Sequence, residues 1–208
     1  AIIDDNAQMQ NLFQLLKTTL TSSDKEVSRY LYPKKGMYEA WEQISQLLIA
    51  LKARIITGTS ATMEREGNRI TRVHAGSESF VPSRVIWTAP ITLACSQLEL
   101  QRPDLNYLGL LLYNLMVNEP APRDYQWCYY GEPSLLINRV SVPRFFSEAT
   151  CPPRTTGYCC EVTCMEGDAR WQHAERLTDW IVDDMLKVGM IKHRDNVFDV
   201  RVERLPAS

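Results

Sequence analysis

The sequence predicts a mixed α/β protein of the α+β kind, in which a few helices accompany mostly antiparallel strands. Three observations predict it. Residues 5–21 and 37–52 space their apolar side chains as one face of a helix does. Short β-rich segments bounded by turn residues follow the second of these stretches. The 208-residue chain is 45% hydrophobic, so it can bury a substantial core.

The first element is a helix over residues 5–21, for which Asp4 or Asp5 is the N-cap candidate. Its apolar positions are Met9, Leu12, Phe13, Leu16 and Leu20. The stretch 22–35 is polar and leads into Tyr32-Pro33-Lys34-Lys35-Gly36, which is typical of a loop. Residues 1–35 are therefore interpreted as an N-terminal helix and loop.

A second helix over 37–52 opens the next unit, and short strands follow it. Its buried stripe is expected to be Met37, Trp41, Ile44, Leu48 and Leu51. The strands are predicted at 54–57, 60–65, 69–74, 78–81 and 84–88, with a hairpin turn at 66–68. The core of the last strand, Val85-Ile86-Trp87, is apolar throughout, which favours a strand covered on both faces.

The second half predicts a mostly antiparallel sheet with one long helix. The helix is capped by Asp168 and ends at Gly189. Residues 141–156 contain several prolines and indicate a long loop. Strands are predicted at 107–117, 125–130, 134–140, 157–165 and 195–204.

Composition and charge exclude several classes of function. Formal net charge is -2, from 23 basic and 25 acidic side chains, which gives no electrostatic reason to bind nucleic acid or an anionic membrane. No apolar run reaches the ~18 residues of a membrane span. The opening AIIDDNAQMQ lacks the regions of a signal peptide, so a cytoplasmic location is expected. The missing initiating Met fits processing, an engineered boundary or a fragment.

The cysteines do not predict a metal centre. Cys160-x3-Cys164 has no second pair at zinc-site spacing, and the chain has three histidines, His74, His173 and His193. Free thiols, buried or partly exposed, are the expected state of the six cysteines.

No motif of a self-contained active site is present. The sequence lacks a G-x-G-x-x-G or Walker loop, a G-x-S-x-G elbow and an H-E-x-x-H helix. Asp179 and Asp183 share a helix face and could do acid–base work, but a solvated face is the commoner case. Arg139 and Arg144 flank an aromatic loop that could hold an anionic or planar substrate. They could equally be surface arginines beside packed phenylalanines.

Two stretches resemble a known superfamily. The first combines Tyr32-Pro33-x-x-Gly36-Met37 with a helix, the strand at Ala53-Arg54-Ile55-Ile56, the hairpin 68–73 and Val85-Ile86-Trp87-Thr88-Ala89-Pro90. It resembles the middle part of flavin-containing amine oxidases, protoporphyrinogen oxidases and UDP-galactopyranose mutases. The second stretch resembles the substrate-binding part of the oxidase-like and mutase-like members. It contains Asn138-Arg139-Val140, Pro143-Arg144-Phe145-Phe146-Ser147, Glu161, the helix 170–188 and Val202-Glu203-Arg204-Leu205-Pro206.

The resemblance implies FAD as cofactor and divides the chain into residues 1–35, a partial FAD-binding segment at 36–95 and a substrate-binding sheet domain at 96–208. Ser60 would meet the adenine through its backbone, and Thr88, Ala89 and Pro90 would line the nucleotide. Tyr107, Arg139 and Phe145 are the substrate-side candidates. Each of these residues could instead be an ordinary strand, turn or core residue.

The chain departs from the superfamily at both ends of its pattern. The Gly-rich strand–turn–helix for the FAD pyrophosphate and the Gly-rich segment beside the flavin ring are absent from the sequence. The expected function is therefore a segment of an FAD-dependent oxidoreductase that acts on a small molecule. The rest of its FAD domain would come from the same polypeptide or from a partner chain. The alternatives are a flavin isomerase of the mutase type and a non-catalytic binding or scaffold module.

Overall fold

The computed structural model describes residues 32–206, so the predicted helix 5–21 and residues 22–31 of the predicted loop lie outside the described residues. Helices and antiparallel sheets alternate along the described chain, which confirms the mixed α/β class. The division into domains at residues 35 and 95 stays a prediction.

The N-terminal part begins with helix α1, Met37–Ala50, close to the predicted 37–52. A three-stranded antiparallel sheet follows, in the order β1 (Ala61–Glu66), β2 (Arg69–Ala75) and β3 (Glu78–Phe80). The β1–β2 turn contains Gly67 at φ 57°, a left-handed conformation that glycine adopts without strain. A short helix α2, Ile91–Gln97, packs beside β1, and Gln97 Nε2 donates to Ala61 O at 3.1 Å.

Two of the predicted strands, 54–57 and 84–88, are wrong: neither segment forms a β-ladder. The run Val85-Ile86-Trp87 is not covered on both faces, because Ile86 is 89% exposed. A β-strand needs a hydrogen-bonding neighbour, and no strand among residues 32–206 pairs with either segment.

The C-terminal part is a five-stranded antiparallel sheet with the order β5-β6-β7-β4-β8. The long strand β4 lies between β7 and β8. The five strands are β4 (Gly109–Val117), β5 (Trp127–Tyr129), β6 (Arg139–Ser141), β7 (Thr156–Cys164) and β8 (Val197–Leu205).

The two strands β5 and β6 are shorter than the predicted 125–130 and 134–140. Much of the difference is the segment before Arg139, which a buried carboxylate holds as a loop. Asp184 Oδ2 accepts from Leu136 N at 2.6 Å and from Ile137 N at 3.4 Å. Those amides are therefore satisfied by a side chain rather than by a neighbouring strand.

The predicted helix after Asp168 is broken into three pieces. Asp168 caps α3 (Ala169–Gln172) by accepting from Trp171 N at 3.0 Å, which confirms the predicted cap. A 3₁₀ turn, Ala174–Leu177, then leads into α4 (Thr178–Lys187). Gly189 follows at φ 71° and ends the helix, as predicted.

The core lies between one face of the five-stranded sheet and α4. Alternate residues of β4 point into it, and all four are fully buried: Leu111, Tyr113, Leu115 and Val117. Tyr113 donates its hydroxyl proton to Ala174 O at 2.7 Å, and burial raises the pKa of this tyrosine to about 12. The sheet therefore has a covered face toward α4 and an opposite face, called here the open face.

Candidate functional site

The open face of the five-stranded sheet carries the polar residues that the alternating strand pattern turns away from the core. Strand register places them in rows across β5, β6, β7, β4 and β8. One row contains Tyr129, Arg139, Glu161, Leu112 and Glu203. The next row contains Trp127, Ser141, Cys159, Asn114 and Arg201.

Arg139 is the centre of the first row. Its guanidinium forms a short ion pair with Glu161, whose side chain is 12% exposed. It also donates to Tyr129 Oη at 3.3 Å and lies 5.7 Å from the centre of that ring. The hydrogen bond to Glu161 raises the pKa of Arg139 above its usual value. Arg139 therefore stays charged, with its planar guanidinium beside an aromatic ring.

One donor of Arg139 has no protein acceptor. Its Nε is buried and lacks a hydrogen-bond partner among residues 32–206. A buried donor without an acceptor costs free energy.

Arg144 has a different role from Arg139. Its guanidinium donates to the backbone carbonyl of Thr155, with Nε at 3.0 Å and Nη2 at 2.8 Å, and to the carbonyl of Pro152. These bonds hold the loop after β6 in place. Of the two arginines that flank the aromatic loop, Arg144 is a structural residue.

Phe145 and its neighbour Phe146 lie in different environments. Phe145 packs against the hydrophobic core, and its carbonyl accepts from Gln126 Nε2 at 3.1 Å. Phe146 instead stacks on Trp127 with ring centres 5.8 Å apart and an interplanar angle of 11°. Tyr32 contacts the same ring at 5.1 Å. This aromatic cluster joins the loop before α1 to the edge of the open face. A substrate role for Phe145 stays a prediction.

A cavity lies at one end of the open face, and it is called here the sheet-end cavity. Its volume is about 430 Å³. Strands β4, β7 and β8 form its floor, and the loop after β6 forms its wall. The residues that line it are Asn114, Met116, Pro143, Thr150, Cys151, Pro152, Thr155, Thr156, Gly157, Tyr158, Phe198, Asp199 and Arg201.

Register places this cavity on the same face as Arg139. Met116 lies opposite Gly157 and Asp199, and Asn114 lies opposite Cys159 and Arg201. The sequence pattern did not predict this cavity. The alternation of residues in β4 and β8 indicates which side chains share a face. It does not indicate which residues of these two segments, distant in sequence, lie beside each other, and that pairing forms the cavity.

A second cavity, of about 270 Å³, brings together two of the predicted site residues, Pro90 and Tyr107. Arg102 and Leu105 also line it. Pro90 precedes α2, and its carbonyl accepts from Trp87 Nε1 at 3.1 Å. A residue predicted to line the nucleotide and one predicted on the substrate side therefore meet at one surface.

The other predicted cofactor residues lie on exposed backbone. Ser60 directly precedes β1, and Thr88 and Ala89 lie in the segment before α2. All three are exposed, so their backbone groups are accessible. Their predicted role in binding the nucleotide stays a prediction.

The thiols and carboxylates of the described chain do not converge on a metal. All six cysteines are free, and no group of three or more His, Cys, Asp or Glu residues within 32–206 could hold an ion. Asp179 and Asp183 lie on an exposed helix face, where both pair with Arg194. No helix within 32–206 is both long enough and apolar enough to cross a bilayer.

Solved structures with the same fold were found, although neither a protein-family model nor a curated protein matches the sequence. A reduced UDP-galactopyranose mutase matches 85% of this chain with a TM-score of 0.70 at 14% identity. A candidate protoporphyrinogen oxidase from Exiguobacterium sp. 255-15 matches 97% with a TM-score of 0.69 at 16% identity. An oxidoreductase from Methanosarcina mazei matches 84% with a TM-score of 0.60 at 13% identity.

The chain spans less than half the length of these structures, between 41% and 45%. Each of these matches covers at least 84% of this chain. The resemblance seen in the sequence is therefore confirmed at the level of fold: the chain has the fold of one part of the mutase and oxidase structures.

Proposed function

We propose that this chain supplies the substrate-binding face and part of the FAD-binding domain of a flavin-dependent oxidoreductase. The open face is the main support for this proposal, because it combines a charged Arg139, a stacked Tyr129 and an adjoining cavity on one side of a sheet. Pockets with mostly apolar walls and a few convergent polar groups are the usual form of small-molecule sites. The shared fold supports the flavin assignment.

The residues present fit FAD in part. Ser60, Thr88, Ala89 and Pro90 offer backbone groups that could border the nucleotide. A pyrophosphate-binding glycine-rich strand–turn–helix does not occur among residues 32–206. Most phosphate contacts would therefore come from another segment, of the same polypeptide or of a partner chain. When bound, FAD would supply the redox chemistry, while Arg139 and Tyr129 would bind and orient the substrate.

The surface of α1 supports the need for a further segment. Among the exposed residues of this helix are Tyr38 at 78%, Trp41 at 61% and Leu47 at 60%, and none of its residues is buried. Ile86 lies equally uncovered in the segment before α2. Exposed apolar surface of this extent marks an interaction site. In the proposed assembly, the rest of the FAD-binding domain covers it.

The proposal is tested by flavin retention. The purified 208-residue chain is mixed with FAD, passed through gel filtration and examined by visible absorbance. The same is done with the longest polypeptide encoded by the reading frame, alone and with candidate partner chains. Retention by the longer polypeptide or the complex supports the proposal. If neither the longer polypeptide nor the complex retains FAD, the proposal is contradicted and the non-catalytic module is favoured.

The role of Arg139 is tested in the flavin-loaded protein. Arg139→Ala should raise KM or lower kcat/KM by about tenfold or more, since a charged hydrogen bond contributes ~1.5–3 kcal/mol. Arg170→Ala is the matched control, because the ion pair of Arg170 is with Asp168, the cap residue of α3. Equal kinetics for the two variants would remove Arg139 from the binding site.

A flavin isomerase is the second candidate, because the mutase match is as close in fold as the oxidase match, with TM-scores of 0.70 and 0.69. The two reactions differ in electron balance. An oxidoreductase transfers electrons from its substrate to an acceptor at each turnover, whereas an isomerase with reduced flavin consumes no acceptor. Turnover that continues without any acceptor would favour the isomerase.

A further inference from the structure

The sheet-end cavity has mostly apolar walls and enough room for a ring. The apolar side chains around it are those of Met116, Pro143, Pro152 and Phe198. An apolar cavity of about 150 Å³ is enough to hold benzene. At about 430 Å³, this cavity could hold a ring together with its substituents.

The wall of the cavity is fixed by hydrogen bonds before any ligand binds. Arg144 Nη2 donates to Thr155 O at 2.8 Å and to Cys151 O at 3.5 Å, as well as to Pro152 O. Thr155 Oγ1 donates to Pro152 O at 3.0 Å. A preformed wall lowers the entropic cost of binding. The cavity is therefore built by the fold, and a charged side chain maintains it.

Gly157 lies in the floor of the cavity. This glycine does not have the positive φ that would require a residue without a side chain. A Cβ at this position would lie 3.4 Å from Cys151 Sγ, in the space between the strand and the loop. The backbone therefore does not require glycine here, and a side chain at this position would extend into the space beside the Cys151 thiol.

We propose that the sheet-end cavity binds the apolar, ring-sized part of a small molecule whose polar part lies toward Asp199 and Arg201. These two side chains form an ion pair with Nε and Oδ2 3.3 Å apart at the cavity wall. They offer one acceptor and one donor at its polar side. The assignment of this ligand as the substrate rests on the proposed function, whereas occupancy of the cavity does not.

Indole is a suitable probe, since it is an apolar ring with a single donor. The 208-residue protein is alkylated with iodoacetamide at increasing indole concentration, and the modification rate of each cysteine is followed by peptide mass spectrometry. Cys151 lines the cavity, whereas Cys128 is also partly exposed but does not. Indole should slow modification of Cys151 saturably and leave the rate at Cys128 unchanged. No protection, or equal protection of both thiols, would overturn the proposal.

Two variants localise the binding. Gly157→Val should abolish the protection by filling the floor, with Gly131→Ala as control because a Cβ at Gly131 meets no atom within 4 Å. Phe198→Ala should raise the half-protecting indole concentration by about tenfold, since it removes one apolar wall. Phe198 is 63% exposed, so this variant should fold normally. Trp180→Ala, at a site 60% exposed on α4, is its control.

The outcome of the indole experiment does not depend on whether the protein retains FAD. Protection of Cys151 that survives Phe198→Ala unchanged would show that indole binds elsewhere, which overturns the cavity assignment. Failure to retain FAD would remove the oxidoreductase proposal and leave a ligand-binding cavity. The two failures are therefore distinguishable.

Discussion

The two parts of the described chain differ in what they bury. Strand β4, in the five-stranded sheet, has four fully buried side chains, whereas α1 has no buried residue, although more than half of its residues are apolar. The five-stranded sheet with α4 thus carries its own core. The part from α1 to α2 instead presents apolar residues that its own elements leave uncovered. Hydrophobic periodicity indicates where a helix forms, but it does not indicate which segment covers it.

The largest expected effect on the free energy of unfolding comes from comparing a core leucine of the five-stranded sheet with an exposed leucine of α1. Leu115→Ala should lower the free energy of unfolding by about 2–5 kcal/mol, since it creates a cavity in the core. Leu47→Ala in α1, where the leucine is 60% exposed, should change it by less than about 0.5 kcal/mol. Urea unfolding followed by circular dichroism measures both. A large loss for Leu47→Ala would show that α1 is already covered in this protein.

A second substitution tests how tightly α3 packs on the sheet. A Cβ at Gly109 would lie 2.7 Å from Trp171 Cζ3 and 3.2 Å from Leu205 O. Gly109→Ala should therefore cost about 1–3 kcal/mol of unfolding free energy through overpacking. Gly131→Ala, which meets open space, is the control in the same thermal or urea unfolding measurement. Equal stability of the two variants would mean that the Trp171 ring moves freely.

Removal of the buried carboxylate of Asp184 should have a comparable or slightly smaller effect on the free energy of unfolding. Asp184→Ala leaves the amides of Leu136 and Ile137 without their acceptor, at about 1–3 kcal/mol. Asp184→Asn keeps one acceptor oxygen and should recover part of the loss. Asp179→Ala, at a site 85% exposed, should be nearly neutral. Faster hydrogen exchange at the two amides in Asp184→Ala would identify the cause.

The smallest expected effect depends on pH. The hydrogen bond from Arg204 lowers the pKa of Glu175 from 4.5 to about 2. A lowered carboxyl pKa means that the stabilisation is present above the ordinary value and is lost as pH falls toward the lowered one. Glu175→Gln should therefore flatten the fall in the urea midpoint between about pH 4.5 and about pH 2. Because Glu175 is 62% exposed, solvent makes this contribution small.

Glu148→Gln, an exposed glutamate in the loop after β6, is the matched control for this measurement. Its pH profile should follow that of the unmodified protein. If Glu175→Gln and Glu148→Gln behave alike, the ion pair with Arg204 contributes nothing measurable, as is true of many exposed pairs.

Local chemistry explains which predictions from the sequence succeeded. The hairpin around Gly67, the cap at Asp168 and the stop at Gly189 depend on residues close in sequence, and the structure has all three. The apolar run around Ile86 has the composition of a buried strand, but a strand also needs partners, which periodicity cannot supply. The pairing of Arg139 with Glu161 and the sheet-end cavity required the register of β6, β7, β4 and β8. Arg144 illustrates the same limit, since its acceptors are backbone carbonyls, which no sequence pattern distinguishes.

The position of β4 in the sheet has a consequence for synthesis on the ribosome. Strand β4 is the first of its sheet to be made, yet it lies between β7 and β8, and Leu110 pairs with Leu205. While the chain is still growing, both edges of this apolar strand lack their final neighbours. A chain stalled after β7 would expose one edge of β4 as a template for intermolecular pairing. Nascent chains that end between Val117 and Val197 leave one or both edges of β4 unpaired, and they should therefore bind chaperones more strongly than the completed chain.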